Sequence, residues 1–151
     1  MSKKNKVLLL ITVSMVCLAA KGYDRSAFGF KSYPLSAGPG YYTEKHCKKR
    51  DVEHIVSLKD AFDSGAANWP AKKKRAFAND PLNHRAACAS VNRSKGASRP
   101  AGFLRKSNDG KGRDYEIVNF CSYLALYTKV KLKYRLSFDA NSKPLFLKCA
   151  Q

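Results

Sequence analysis

Asp51, Glu53 and His54 stand close together at the head of a stretch that continues through Asn83, Asn92, Arg93 and Lys95. These residue types could cut a phosphodiester. Such a cut needs a nucleophile made from water, neutralisation of charge growing on the phosphate, and stabilisation of the departing oxygen. A histidine, with an ordinary pKa of about 6.5, is neutral at working pH and can take a proton from water. A divalent cation supplies the charge stabilisation. Oxygen donors such as Glu and Asn suit magnesium first, and manganese second. Each residue also has a plain reading taken singly. Asn79 and Asn83 flank Pro81 as turn residues do, Asn92 could open a helix, and a lone histidine is more often hydrogen-bonded or surface-exposed than basic in function.

The elements that must position these groups can be read from period and punctuation. Asp51–Leu58 alternates as a short strand, with Val52, Ile55 and Val56 supplying β-branched content. Glu53 and His54 are neighbours and would face opposite ways on a regular strand, so for both to serve one site the strand must end or bend there. Residues 59–67 have helical spacing up to Gly65, and Pro70 opens a second helix over Ala71–Ala78. Lys72, Lys73, Lys74 and Arg75 lie on that helix, as either a solvated face or a phosphate contact. Asn79-Asp80-Pro81 is a turn, Leu82–Ala89 a second strand, and Ser90 the cap of a short helix from Val91 to Lys95, ended by Gly96 and Pro100. The order strand, insertion, strand, helix can gather Glu53, His54 and Asn92.

The flanks are less informative. Residues 23–30 form an aromatic and charged arm with no clear period, and residues 105–114 read as a Gly-containing polar loop. Asp114 to about Leu136 suits a long amphipathic helix, although Val130, Leu132, Tyr134 and Leu136 alternate well enough for a strand at its end. Asp139–Cys149 is a terminal element, more helical than extended.

Length and charge set the class. The 151 residues give room for one domain, and residues 1–20 read as a secretory signal: Lys3, Lys4 and Lys6, an apolar run from Val7 to Leu18, then Ala19 and Ala20. The expected mature chain is therefore 21–151, secreted or periplasmic, with no stable membrane association after signal cleavage. Loss of the three signal lysines leaves 26 basic against 11 acidic residues, a net +15. That excess points to a polyanionic partner, because each neutralised phosphate releases counterions. Cys47, Cys88, Cys121 and Cys149 remain in the mature chain, and an even number in an exported protein favours two disulfides. Three pairings exist; Cys47–Cys88 with Cys121–Cys149 is preferred because the first would join the two halves of the motif region. No Cys-x-x-Cys pair offers a structural zinc site.

The ordered set resembles the HNH endonucleases, the ββα-metal or His-Me finger group. Asp51-Val52-Glu53-His54-Ile55-Val56-Ser57-Leu58 is similar to the family's first motif, Asn83 to its middle asparagine, and Asn92-Arg93-Ser94-Lys95-Gly96 to its last. The nine-residue step from Asn83 to Asn92 agrees. Tyr23-Asp24-Arg25, Phe28-Gly29, Asp63-Ser64-Gly65-Ala66, Trp69 and Arg75–Asp80 resemble the secreted branch related to the GmrSD C-terminal domain. Glu53 stands where Asp is commoner, Ser57 where Pro is usual, and His84 where a hydrophobic residue is frequent. His84 reads as a surface residue or an extra ligand, and His46 as a surface residue.

The resemblance implies an α+β fold with a two-stranded hairpin and helix at its core. It implies His54 as general base, Asn83 as the residue holding the loop that carries it, and Glu53 and Asn92 as ligands of one divalent metal. Arg93 and Lys95 would contact phosphate, with Lys72 and Lys73 adding backbone affinity and Asp51 assisting His54 or the metal. The implied protein is a monomeric metal-dependent endonuclease acting on DNA, with RNA as a second substrate, and with little sequence preference. The alternative is a secreted cationic nucleic-acid-binding protein whose nuclease site is degenerate.

Overall fold

Arg50–Cys88 closes on itself as an antiparallel hairpin with a helical insertion between its strands. The computed structural model describes residues 22–103, 116–141 and 143–149. The expected signal at 1–20 and the polar loop at 105–114 lie outside the described residues. In chain order the strands are β1 (Gly38–Pro39), β2 (His46–Cys47), β3 (Arg50–His54) and β4 (His84–Cys88). The helices are α1 (Leu58–Asp63), α2 (Ala71–Ala78), α3 (Ala89–Lys95), α4 (Pro100–Phe103), α5 (Phe120–Tyr134) and α6 (Lys143–Leu147). β1 pairs with β2, and β3 pairs with β4 in a register that sets Glu53 opposite Arg85 and His54 opposite His84. The fold is α+β, and β3, β4 and α3 form a small ββα core in which α3 packs on both strands.

Local chemistry explains the element ends. β3 stops at His54, and Ser57 caps α1 by accepting from the Asp60 amide at 3.0 Å, which gives a reason for serine at this position. The second strand is shorter than its apolar run because Pro81–Asn83 forms a 3-10 turn, capped by Asp80 accepting from Leu82 N at 3.0 Å. β4 passes directly into α3, so the helix begins at Ala89 and Cys88, not Ser90, occupies the cap position. Gly96 ends α3 at φ 51, a left-handed value that suits glycine, and its amide donates to Asn92 O at 2.9 Å.

Both expected disulfides are present. Cys47–Cys88 joins the end of β2 to the end of β4, and Cys121–Cys149 joins α5 to the segment after α6. Closing the 41-residue loop of the first is worth about 4 kcal/mol in the chain-entropy model. Gly40 is required beside it, since a Cβ there would lie 2.6 Å from Cys88 Sγ and 3.0 Å from Cys47 Sγ.

α5 covers less than the expected Asp114–Leu136, and its end is helical rather than extended. Tyr123, Tyr127, Val130 and Tyr134 are buried while Leu132 is 64% exposed, a pattern with helical and not two-residue period. Two buried carboxylates fasten this helix to the hairpin insertion. Asp60 of α1 accepts from Tyr127 Oη at 2.5 Å, Ser64 Oγ at 3.0 Å, Arg99 Nε at 2.9 Å and Lys131 Nζ at 3.2 Å. Asp80 accepts from Tyr134 Oη at 2.8 Å and Lys133 Nζ at 2.6 Å. Burial works to raise the Asp60 carboxyl, but Tyr127, Lys131 and Arg99 outweigh it and hold it below its usual range. No helix among the described residues is long and apolar enough to cross a membrane.

Candidate active site

Asn83 is the residue on which the hairpin end turns. It is fully buried, accepts from Val56 N through Oδ1 at 2.8 Å, and donates from Nδ2 to Val56 O at 3.1 Å. Its own carbonyl accepts from Ile55 N at 2.9 Å. The segment leaving His54 is therefore held by both side chain and backbone of one residue. An Asn83→Ala variant strands the amide and carbonyl of Val56 inside the protein. At roughly 1–3 kcal/mol for each unsatisfied group, the expected loss is about 2–6 kcal/mol, read as a lowered urea midpoint at unchanged m-value.

His54 is 6% exposed and sits in a cage of rings. Phe30 meets it edge-on at a centroid distance of 4.6 Å, and His84 at 4.8 Å. Its Nε2 lies 2.8 Å from Ala78 O. A carbonyl can only accept, so Nε2 must carry the proton and Nδ1 is left as the basic nitrogen. Burial is the main cause that lowers the His54 pKa to about 4. The Ala78 bond opposes it, while His84, Arg25 and Lys95 add to the lowering.

His84 is not the surface residue that its sequence position allowed. It is 7% exposed, and its Nε2 donates to the same Ala78 carbonyl at 2.9 Å, with Tyr33 Oη 3.4 Å from its Nδ1. Its burial follows from the register, which places it directly opposite His54 under the N-terminal arm. Asn79 pins that arm: its Oδ1 accepts from Lys31 N at 2.9 Å and its Nδ2 donates to Gly29 O at 3.1 Å.

Glu53 faces the other way, as a neighbour on a strand must. It is 1% exposed, with Lys95 Nζ 2.5 Å and Tyr42 Oη 3.0 Å from Oε1. Oε2 takes no hydrogen bond from any described residue. Burial raises the Glu53 carboxyl above its ordinary value, against the charge and hydrogen bond of Lys95 and the hydroxyl of Tyr42.

Lys95, expected as a phosphate contact, is buried instead. Its ammonium spans the Glu53 carboxylate and His54 O at 3.0 Å, because a carboxylate removed from water needs a counter-ion at hand. Arg93 is exposed on α3, and Asn92 is half-buried with no side-chain bond among the described residues. Asp51 is half-buried and shares the Glu53 side of β3. Lys72 is exposed, whereas Lys73 lies 4.1 Å over the Trp69 ring. His46 is exposed as expected.

No group of three or more His, Cys, Asp or Glu side chains able to hold a metal is assembled among the described residues. The donors that a cation could take are oxygens: the Glu53 and Asp51 carboxylates, which share a side of β3, and the Asn92 amide on α3. Their chemistry fits magnesium, which keeps several of its own waters and takes few protein ligands.

Sequence reasoning singled out Glu53, His54, Asn83 and Asn92, took Tyr42 only as an anchor of the N-terminal arm, and gave no part to Phe30 or the Ala78 carbonyl. Tyr42 carried a signal as half of an aromatic pair. The Ala78 carbonyl carried none, being backbone.

Residues 29–148 match the family model of the GmrSD restriction endonuclease C-terminal domain. An uncharacterized secreted protein of Arthroderma benhamiae is 32% identical over 95 residues, which cover 62% of this chain and 42% of that relative. The chain thus spans less than half the length of the curated relative. No solved structure matches it.

Proposed function

The chain belongs to the family of GmrSD restriction endonuclease C-terminal domains, and from that premise we propose a secreted, metal-dependent endonuclease. It hydrolyses phosphodiester bonds in DNA, and in RNA as a second substrate, with little sequence preference. The observation that carries this reading is the tautomer of His54: Nε2–H is committed to Ala78 O, so a neutral imidazole keeps Nδ1 ready for a proton. His54 in this role takes a proton from water. Asn83 keeps the imidazole's strand end in place through Ile55 and Val56. Glu53, Asn92 and, as an accessory, Asp51 would hold one divalent cation, magnesium before manganese. That cation, when bound, neutralises charge on the phosphate and the departing oxygen. Lys95 beside Glu53 favours its ionised form, against the burial that raises the carboxyl. Arg93, Lys72 and Lys73 meet the backbone electrostatically, which gives affinity without reading sequence.

Secretion is supported by the leader-like residues 1–20, by the two disulfides, and by likeness to a relative named as secreted. One observation favours a second reading, a cationic nucleic-acid-binding protein with a degenerate site: Glu53 already has a buried counter-ion. A single assay separates the two. Oxidised, metal-stripped protein is incubated with supercoiled plasmid, with and without magnesium or manganese. The endonuclease reading expects nicked and linear products only after metal is returned, fewer as salt rises. DNA binding with no cutting under any metal would reject it for the second.

A further inference from the structure

Arg85 is a basic group on the hairpin that the chemistry above leaves unused. It pairs with Glu53 across β3 and β4, and residues opposed in this way project to the same side with Cβ atoms about 5 Å apart. Asp51 is on that side too. An arginine next to two carboxylates ought to bind one of them, yet Arg85 makes no ion pair among the described residues, and the cation on Glu53 is Lys95. The Arg85 guanidinium instead lies 5.6 Å from the centre of the Tyr41 ring, with Nη1 donating to His84 O at 2.6 Å. Tyr41 is a fixed platform. Its amide donates to Ala86 O of β4 at 2.9 Å, and its carbonyl accepts from Asn119 Nδ2 at 2.6 Å. Consecutive tyrosines therefore serve two neighbouring groups: Tyr42 reaches Glu53, and Tyr41 lies beneath Arg85.

A guanidinium is planar and presents its N–H donors as a fork, a shape that matches two oxygens of a phosphate. Two carboxylates on the same side repel a phosphodiester, and a cation held next to them offsets that repulsion. We propose that Arg85, carried over the Tyr41 ring beside Asp51 and Glu53, is a phosphate-binding residue that grips the nucleic-acid backbone at the cutting site. The proposal rests on the reading of the chain as acting on nucleic acid, and names the residue that seats the substrate there.

The test is binding without cutting. The full mature protein is titrated in EDTA against a fluorescein-labelled duplex DNA oligonucleotide, with anisotropy read between roughly 50 and 200 mM salt. Arg85→Ala is expected to weaken binding about five- to tenfold and to reduce the slope of log affinity against log salt by about one. Arg85→Lys, which restores charge but not the planar fork, keeps the slope and recovers part of the affinity. Lys129→Ala, an exposed α5 position with the same charge change, shifts affinity less than about twofold. Unchanged affinity and slope in Arg85→Ala would overturn the proposal, as would an equal loss in Lys129→Ala. Failure of the wild-type protein to bind DNA at all would overturn both the proposal and the reading beneath it. Absence of cutting by a protein whose binding follows the expected pattern would strike only the nuclease reading.

Discussion

His54→Ala is expected to lower the rate of plasmid cutting by about 10²–10⁴-fold, the usual contribution of a positioned general base. Metal-free DNA affinity should be unchanged, because a neutral imidazole brings no charge to the phosphate backbone. His54→Gln separates packing from chemistry, since its amide can still donate to Ala78 O but has no basic nitrogen. Circular dichroism should show both variants folded. A distinctive pH profile follows. The imidazole must be neutral to act, and its pKa is lowered to about 4, by burial first, with His84, Arg25 and Lys95 adding positive charge around it. Protonation of the imidazole therefore costs activity only as pH falls through about 4, whereas an ordinary histidine near 6.5 is mostly charged by pH 5, and any acid limb above about 4 belongs to the Glu53 carboxyl, which burial raises. An acid limb centred near 6.5 would contradict the lowered pKa, and His54→Gln cutting at the wild-type rate would remove His54 from the role of base.

The second large effect is on stability. Glu53→Ala strands the Lys95 ammonium in the interior with only His54 O as partner, and Lys95→Ala strands the carboxylate with only Tyr42. Breaking a buried pair from one side costs about 3–5 kcal/mol, and each single variant should lose that much. Glu53→Leu with Lys95→Met removes both charges and should be far less damaging than the sum of the singles, since neither ion is left unpaired. Urea midpoints at constant m-value measure all of these. Single-variant losses below about 1 kcal/mol would mean that the pair is open to water, contrary to its burial.

The central hairpin was legible because its signals are local. β-branched alternation marked a strand over Asp51–Leu58, of which the structure keeps only Asp51–His54 as strand before the bend into α1, Asp80-Pro81 marked the turn before Asn83, and Gly96 marked the end of α3. The cysteine pairing was legible for a similar reason, since Cys47 and Cys88 flank the two strands that must meet. What stayed hidden depends on distant partners. Lys95 looks like a surface cation until the hairpin brings Glu53 under it, 42 positions earlier in the chain. His84 looks exposed until the register sets it against His54 and the arm closes with Phe30 and Tyr33. The polar anchors of α5 had no signal, because neither Asp60 nor Lys131 shows in its own neighbourhood which charge it will meet 71 residues away.

The account depends most on Glu53 and Asn92 sharing one cation, and direct Mn2+ binding tests that. Metal-stripped, oxidised protein is titrated with Mn2+ while free ion is followed by electron paramagnetic resonance. One bound ion per chain is expected in the wild type, with Asn92→Ala and Glu53→Gln each weakening it at least about tenfold, since even loss of a group that only supports a ligand costs about that much. No bound ion in the wild type, or an unchanged affinity in both variants, would contradict the metal site.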